Sequence, residues 1–430
     1  EQISGTQGGS GDIVDVDGSY WVLLGGDIHT MDISGGSVKK VEMDYTFERQ
    51  LREEFNQMFE EMWANFEANF YASDFHGENW ESIREYYRQF LPQVRTRANL
   101  REMMNDMLGE MNTSHIGFYS SGDEEDVYHG STTLATGIVF QESDPYAVER
   151  VVYESPAYQS GADIRQGDRL IRVNGEETEP DQNRESYFVS PSMDEEVSLT
   201  FSRDGEEIHV LIQPSSYFTI RNQLYDEWVN ERQQLVDELS DETIAYVHMK
   251  NMGGGELQNF KQEMVSEGKE RDALILDLRY NTGGNVHDEV LNFLSRNPYL
   301  LWGYRGGELA TQPNFTPAAK PIVLMINQQS LSDAEMTAAG FKELGLGTVI
   351  GMPTYRWIIF TSGKSLVDGS GYRLPSWGVY TFDGDNLEKT GVEPDVEIDN
   401  TFQDRLNDED PQLMEAIRHI QLDLDGGGQR

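Results

Sequence analysis

Residues 273–284 read ALILDLRYNTGG, an almost unbroken apolar run that ends in a polar, glycine-rich turn. Two further runs follow, PIVLMIN at 321–327 and GTVIG at 347–351. Continuous apolar strands are typical of parallel sheets that are buried on both faces. Helical patterns such as AEMTAAGFKELG at 334–345 lie between these runs. We therefore expect residues 217–430 to form an α/β layer structure.

The preceding segment, residues 132–216, has a β pattern with clear turn signals. Its central stretch, SPAYQSGADIRQGDRLIRVNG at 155–175, predicts a short helix opened by Pro156, then a strand that ends in an Asn174-Gly175 hairpin turn. This stretch resembles a PDZ domain. The resemblance implies a PDZ-type β-barrel domain whose groove binds an extended peptide, usually its C-terminus, as an added strand. The alternative is a small β-barrel without a ligand.

Residues 44–131 are predicted to form a helical domain. Three apolar stripes with spacings of three and four residues predict helices that begin near Leu51, Trp80 and Leu100. The methionine-rich third stripe would suit a cofactor or peptide groove, but core packing between helices is the simpler interpretation. Residues 1–43 combine a Gly/Ser/Gln-rich lead-in, which we expect to be flexible, with short apolar runs split by Gly-Gly turns.

The composition excludes several classes of partner and chemistry. The 430-residue chain carries 33 Lys and Arg against 76 Asp and Glu, which gives a net charge of −43, and it has no cysteine. Such a surface repels nucleic acids and anionic membranes. Without cysteine there are no disulfides, thiolate metal sites or thiol nucleophiles. No apolar stretch approaches the roughly 20 residues of a membrane span. The N-terminus has no signal-peptide pattern, but a longer precursor could have carried one, so the compartment stays open.

Sequence motifs for metals and phosphates fail on inspection. Ser362-Gly363-Lys364-Ser365 suggests a phosphate loop, but Ile358 occupies the position of its required first glycine. The eight histidines are scattered, and the chain has no His-Glu-x-x-His pattern. We predict neither a metal nor a cofactor.

A serine-rich turn follows the second apolar run. Ser330 and Ser332 stand between the strand and a predicted helix, where backbone N–H groups and the helix dipole favour a developing anion. The alternative is that one of them only caps the helix, with Glu335 completing a capping box.

Two other stretches carry residues of interest. Gly283 and Gly284 let backbone N–H groups approach a ligand closely, although an ordinary tight turn would use the same residues. Ser114-His115 follows the methionine-rich helix, and such a pair is by itself more typical of a structural role.

The order of these features is more informative than any one of them. A PDZ-like segment followed by LDLRYNTGG at 276–284 and NQQSLSDAE at 327–335 resembles the family of tail-specific, or carboxyl-terminal processing, serine peptidases. GEMNTSH at 109–115 and LEKTGVEPDVEIDN at 387–400 are similar to its tricorn-protease branch. The resemblance spans about residues 44–422 and implies a multidomain α+β fold, with an N-terminal helical domain, the PDZ domain and a ClpP/crotonase-like α/β catalytic core. The short strands before it look like the end of the propeller that precedes this core in tricorn relatives.

The resemblance also implies catalytic roles. Ser332 matches the nucleophile and His115 matches the general base that takes its proton. Glu388 matches the carboxylate that acts through the hydroxyl of Ser114 to orient His115. This is the arrangement of nucleophile, base and orienting group that activates a hydroxyl.

The same resemblance implies an oxyanion hole made by the backbone N–H groups of Asp333 and of Gly283 or Gly284, and it leaves the choice of glycine open. The Ser/Lys branch of the family has Gly-Lys after the third strand, where this chain has Arg356-Trp357. A Ser/Lys dyad is therefore not expected. Tricorn relatives usually have glycine at the first of these two positions, so the shape of the cleft is expected to differ.

We expect a serine endopeptidase that hydrolyses peptides, unfolded proteins or protein C-terminal regions through an acyl-enzyme. The alternative is a catalytically inactive scaffold that binds peptides through the PDZ groove. A further alternative is a peptidase whose site is assembled only by homo-oligomerisation or substrate docking. The acidic surface should favour neutral or basic peptides through electrostatic steering, in a salt-dependent way.

Overall fold

The computed structural model describes residues 13–24, 27–43, 48–122, 125, 130–313, 315–317 and 320–426. The predicted flexible lead-in at residues 1–12 lies outside the described residues. Contacts group the chain into two compact units, Glu1–Glu54 and Phe55–Arg430. The second unit contains the predicted domains 132–216 and 217–430 together with the part of the predicted domain 44–131 that follows residue 54, so the limits of these three domains stay predictions.

The first unit contains an antiparallel sheet, in which the strands are neighbours in chain order. Its strands are β1 (Ile13–Val16), β2 (Ser19–Leu24), β3 (Asp27–Asp32) and β4 (Ser37–Lys40). The short apolar runs of this segment therefore form hairpins, as the turn signals predicted. The relation of this sheet to a propeller stays a prediction.

The α-helices that the structure describes are α1 (Leu51–Asn69), α2 (Trp80–Arg88), α3 (Arg97–Gly109), α4 (Pro156–Gln159), α5 (Tyr217–Ser240), α6 (Gly254–Glu270), α7 (His287–Leu294), α8 (Asp333–Glu343), α9 (Leu387–Thr390), α10 (Phe402–Leu406) and α11 (Pro411–Gly426). The strands described after the first unit are β5 (Gly117–Tyr119), β6 (Thr132–Thr133), β7 (Ile138–Phe140), β8 (Val148–Val151), β9 (Arg169–Val173), β10 (Glu176–Glu177), β11 (Val189–Ser190), β12 (Val197–Arg203), β13 (Glu206–Ile212), β14 (Ile244–His248), β15 (Ala273–Asp277), β16 (Leu300–Trp302), β17 (Ala310–Gln312), β18 (Ile322–Ile326), β19 (Thr348–Gly351), β20 (Ile359–Ser365), β21 (Gly371–Gly378) and β22 (Val396–Glu397). Among the described residues, no helix combines the length and apolarity that crossing a bilayer requires.

A five-stranded parallel sheet forms the centre of the second unit, in the order β14-β15-β18-β19-β22. Every residue of β15 and β18 is buried, as the continuous apolar runs predicted. One face packs against α6, α7 and α8, and the other packs against α5 and α11. The predicted α/β layer structure is confirmed. The loops that follow β15, β18 and β19 meet at the carboxyl edge of this sheet, where open α/β folds bind their ligands.

The PDZ-like segment has its own apolar core and three small sheets. Its four-stranded sheet has the order β10-β9-β12-β13, and β7-β8 and β6-β11 form separate pairs. The predicted Asn174-Gly175 hairpin turn is present, with positive φ at both residues, as a type I′ turn requires. The described strands do not close into the β-barrel that the resemblance implied, because the bridges described between these segments are isolated ones, Ala135 to Ser215 and Ala147 to Arg169.

The apolar stripe of α3 is buried, as is that of α1 from Phe55 onwards, which confirms core packing rather than a cofactor groove for the methionines. The stripe of α2 is only partly buried, and Tyr86 is exposed. Trp63 on α1 and Trp80 on α2 each donate an indole N–H to the other's carbonyl oxygen, at 3.2 Å. The second helix ends at Arg88, and a short 3₁₀ turn follows. Beyond α3, strand β5 pairs with β21, which in turn pairs with β20. This three-stranded sheet holds the end of the helical segment against the α/β layers.

Candidate active site

The structure brings four of the predicted residues together, from three distant segments. Ser332 lies between β18 and the first residue of α8, with a φ of 54°. His115 lies between α3 and β5, with a φ of 56°. Both values belong to the left-handed region, which non-glycine residues rarely occupy and which is common at functional sites. Glu388 lies in the short helix α9.

A chain of hydrogen bonds joins these residues. Ser332 Oγ lies 3.0 Å from His115 Nε2, and Ser114 Oγ lies 3.0 Å from His115 Nδ1. Glu388 Oε1 accepts hydrogen bonds from the backbone N–H of Ser114 at 2.6 Å and from Thr113 Oγ1 at 3.1 Å. The contact between Glu388 and Ser114 therefore uses the main chain. This corrects the expectation that it would use the Ser114 hydroxyl, which faces the imidazole instead.

The second oxygen of Glu388 has a partner that the sequence did not reveal. Tyr71 donates its hydroxyl hydrogen to Glu388 Oε2 at 3.0 Å and lies 2.8 Å from His76 Nε2. Burial and the Glu388 carboxylate raise the pKa of Tyr71 well above its usual value, so the hydroxyl remains a donor. His76 Nδ1 in turn lies 3.0 Å from the carbonyl oxygen of Met111. No motif surrounds Tyr71, so only the fold identifies it.

Glu335 is buried behind the nucleophile turn and accepts four hydrogen bonds. Oε1 accepts from the N–H groups of Ser332 at 2.9 Å and Trp357 at 2.7 Å. Oε2 accepts from Thr354 Oγ1 at 2.6 Å and from the N–H of Arg356 at 2.8 Å. Burial raises the pKa of Glu335, and the four donors oppose that shift. The sequence suggested this residue only as a helix cap.

The cap and the catalytic arrangement are not alternatives. Glu335 accepts the N–H of Ser332, as a capping residue would, while Ser332 Oγ faces His115. Ser330 is a separate, fully buried hydroxyl, which donates to the carbonyl oxygen of Leu278 at 2.8 Å and accepts from the N–H of Asn327 at 3.0 Å. Ser332 is therefore the serine whose hydroxyl points towards a base.

The two glycines differ in what their N–H groups contact. Gly283 has a φ of 80° and donates its N–H to Asn281 Oδ1 at 2.9 Å. Among the described residues, no hydrogen bond involves the N–H of Gly284, which lines the same cavity as Ser332. Both positions exclude a side chain. A Cβ at Gly283 would lie 2.7 Å from Ser332 Cβ, and one at Gly284 would lie 2.0 Å from the carbonyl oxygen of Met252.

The Asp333 carboxylate ties the glycine loop to the nucleophile turn. Asp333 Oδ2 accepts from the N–H groups of Val286 at 2.7 Å and His287 at 3.0 Å, and Oδ1 lies 2.5 Å from His287 Nδ1. The hydrogen bond to Asp333 raises the pKa of His287. The resemblance implied an oxyanion-hole role for the backbone N–H of Asp333. The partner of its side chain depends on the packing of α7 against α8.

His115 is held in its neutral form by its surroundings. Burial, reinforced by the positive charge of Arg373, lowers the pKa of His115 to about 4. The Trp357 ring lies against the imidazole, with a centroid distance of 4.8 Å. A cavity of about 190 Å³ opens in front of Ser332 and His115. It is lined by His115, Gly284, Asn285, Ser332, Asp333, Met336, Ile358, Ile359, Phe360, Thr361, Arg373 and Val379.

Comparison with known protein families agrees with the family resemblance seen in the sequence. The model of peptidase family S41 matches residues 243–398, the tricorn protease C1 domain matches residues 51–109, and the tricorn protease PDZ domain matches residues 146–216. Residues 243–398 therefore belong to peptidase family S41. The predicted resemblance to the tail-specific serine peptidases is confirmed, and the two tricorn-type domains confirm the tricorn branch.

The chain is similar to several tricorn proteins. It is 29% identical over 326 residues to tricorn protease homolog 1 of Streptomyces coelicolor, which covers 72% of the chain and 30% of that relative. It is 33% identical over 195 residues to the tricorn protease of Thermoplasma acidophilum, which covers 45% of the chain and 18% of that relative. The crystal structure of the tricorn protease matches with a TM-score of 0.75 and 26% identity, over 95% of this chain and 41% of that one. The chain thus spans less than a third of the length of these two curated relatives.

The chain departs from the family pattern at Arg356 and Trp357. Arg356 has a φ of 74°, a conformation that glycine adopts without strain, and its N–H is held by Glu335. Trp357 contacts His115 where a lysine would stand in the Ser/Lys branch. The side of the cleft next to the imidazole is therefore aromatic.

Proposed function

We propose that this chain is a serine peptidase, with Ser332 as the nucleophile and His115 as the general base. The observation that carries the proposal is the continuous hydrogen-bond chain from Ser332 through His115 to Ser114. Ser332 and His115 stand 217 residues apart in sequence, yet their side chains lie at 3.0 Å. A hydroxyl within hydrogen-bond distance of a neutral, oriented imidazole is the requirement for nucleophilic catalysis by serine.

The first half of the reaction follows from the positions of the two nitrogens. For Nε2 to accept the proton of Ser332, Nδ1 of His115 must carry a hydrogen and donate it to Ser114 Oγ. Glu388 acts on this pair indirectly, because it holds the backbone N–H of Ser114. Ser332 Oγ then attacks the scissile carbonyl, the proton moves to Nε2, and the resulting imidazolium returns it to the leaving amine.

The negative charge on the tetrahedral oxygen needs backbone donors. The N–H of Asp333 at the start of α8 and the N–H of Gly284 are suited to this role, since the N–H of Gly283 is already donated to Asn281. The dipole of α8 adds to their effect. Loss of one such donor costs roughly 10²–10³ in turnover in serine peptidases. The acyl-enzyme is then hydrolysed by a water molecule whose proton passes to His115.

The proposed substrates form a broad class. Peptides, unfolded proteins or the C-terminal regions of proteins fit a chain that carries both this cleft and a PDZ-type domain, whose groove would hold an extended peptide end. A homo-oligomer is a further proposal, and the rival in which oligomerisation assembles the site predicts that specific activity rises steeply with protein concentration.

A fluorophosphonate probe with an intact-mass and peptide-mapping readout tests the proposal. Labelling of Ser332, together with peptide hydrolysis that disappears in Ser332→Ala, is the expected result. The matched control is Ser121→Ala, which changes an exposed serine outside the cavity and should leave both readouts unchanged. Folded protein that hydrolyses no peptide and takes up no label would favour the rival, a peptide-binding scaffold without catalytic activity.

A further inference from the structure

A cationic side chain lines the cavity in front of the nucleophile. Arg373 lines it together with Ser332 and His115. The chain has 76 acidic residues, yet among the described residues no carboxylate oxygen lies within 4.0 Å of the Arg373 guanidinium. The hydrogen bonds described for this guanidinium go to Thr361 Oγ1, at 3.3 Å from Nε and 3.1 Å from Nη2. By contrast, Arg203 of the PDZ-like segment contacts two aspartates.

The strand pairing leaves room beside this side chain. Arg373 lies on β21, directly opposite Gly363 of β20 and Gly117 of β5. Cross-strand partners project to the same face of a sheet, so glycine on both sides leaves Arg373 without flanking side chains at its own level. A Cβ added at Gly363 would meet no heavy atom within 4 Å. A Cβ at Gly117 would lie 2.8 Å from the Tyr119 hydroxyl, so the space next to Arg373 is open on the Gly363 side and filled by Tyr119 on the other.

The position of Arg373 couples it to the reaction. Arg373 and His115 line the same cavity, and the charge of Arg373 adds to the effect of burial in lowering the pKa of His115. The apolar part of the cavity wall is formed by Met336, Ile358, Ile359, Phe360 and Val379, and Asn285, Asp333 and Thr361 form the polar part. The Asp333 carboxylate is already bound to Val286 and His287. A cavity with apolar walls and a cation at one side fits a group that has an aliphatic stem and an anionic end.

We infer that Arg373 binds a carboxylate of the substrate next to the scissile bond. The chemical class is a peptide that presents either a Glu or Asp side chain or a free C-terminal carboxylate at this position. A guanidinium suits a carboxylate because it can donate two parallel hydrogen bonds. The inference rests on the proposed peptidase function. The selectivity of the cavity is opposite to that of the surface as a whole. The net charge of −43 favours basic peptides at long range, whereas the cavity selects an acidic group at contact.

Two kinds of peptide pair, otherwise identical in sequence, test the inference and separate the two sources of the carboxylate. In the first kind, the two peptides differ by Glu or Gln at one position, and each position around the cleaved bond is tested in turn. In the second kind, the two peptides differ by a C-terminal acid or amide. For one pair we expect kcat/KM to favour the anionic member by roughly 10- to 100-fold, as for hydrogen bonds to charged groups. The preference should fall to about 1 in Arg373→Gln, be retained in part in Arg373→Lys, and shift to Lys-containing peptides in Arg373→Glu. The control is Arg221→Gln, an exposed arginine of α5, which should keep the preference.

Binding of the same peptides to Ser332→Ala, with and without Arg373→Gln, keeps this inference separate from the proposed function. If the wild type hydrolyses no peptide but Ser332→Ala binds anionic peptides in an Arg373-dependent way, the peptidase proposal fails and the carboxylate site stands. If peptides are hydrolysed with equal efficiency whether neutral or anionic, or if Arg373→Gln keeps the preference, the carboxylate site is wrong. Absence of both hydrolysis and binding overturns both.

Discussion

The substitution Glu335→Gln tests whether one buried carboxylate holds the nucleophile and the aromatic side of the cleft together. Glutamine has the same shape but only one acceptor oxygen, whereas the Glu335 carboxylate accepts four hydrogen bonds. The favoured orientation places the amide nitrogen opposite Thr354, whose hydroxyl can turn to accept. The N–H of Arg356 then faces a donor.

The size of the effect follows from these contacts. One buried N–H without an acceptor costs about 1–3 kcal/mol, and each hydrogen bond from Ser332 and Trp357 loses about 1 kcal/mol when its acceptor loses its charge. Removing a desolvated charge offsets part of this loss. We expect the free energy of unfolding to fall by about 2–4 kcal/mol. Because the hydrogen bonds that anchor Ser332 and the ring against His115 are both weakened, kcat should fall about 100-fold.

Denaturant unfolding, the rate of fluorophosphonate labelling and steady-state kinetics measure these effects independently. The control is Glu343→Gln, which removes the same charge from an exposed position of the same helix and should change each value by less than twofold or 0.5 kcal/mol. If Glu335→Gln unfolds and reacts like this control, Glu335 does not position the nucleophile.

Four further outcomes follow from the structure. The acid limb of kcat/KM should report the lowered pKa of His115, so activity is retained from neutral pH down to about 5 and lost as pH falls through about 4, and a limb near 6.5 would contradict the structure. In Arg373→Gln the limb should move to higher pH, because the repelling charge is gone. Gly283→Ala should abolish labelling in protein that still folds by circular dichroism, because the added Cβ would lie 2.7 Å from that of the nucleophile. Asp410→Ala should lower the free energy of unfolding by about 3 kcal/mol in denaturant titrations, because it removes one of the two carboxylates that pair with the fully buried Arg279.

The central sheet could be predicted from the sequence because its strands are continuous apolar runs. All residues of β15 and β18 are buried, and no amphipathic surface strand shows such a pattern. The PDZ-like hairpin at Asn174-Gly175 was equally predictable, since positive φ at both residues strongly limits the choice of side chains. Local chemistry decided these features.

The candidate site depended on a resemblance, because its residues meet only after folding. Nothing near Ser114 in the sequence indicates that Glu388 would hold its backbone N–H rather than its hydroxyl. The contact of Tyr71 with Glu388 joins positions 317 apart. The side-chain partner of Asp333 depends on how two helices pack. Such long-range pairs leave no periodic signal in a single sequence.

The pairing of β5 with β21 also bears on when the proposed activity first exists during synthesis. His115 lies next to β5, whose partner strand begins at Gly371, and Glu388 comes later still. A growing chain on the ribosome can therefore contain Ser332 before β21 and Glu388 are present to position His115 beside it. Fluorophosphonate labelling of ribosome-arrested chains of increasing length should begin only after residue 388 has emerged, and labelling of shorter chains would contradict this order. A peptidase whose site is completed only by these late segments would not cut its own unfinished chain or the neighbouring nascent chains.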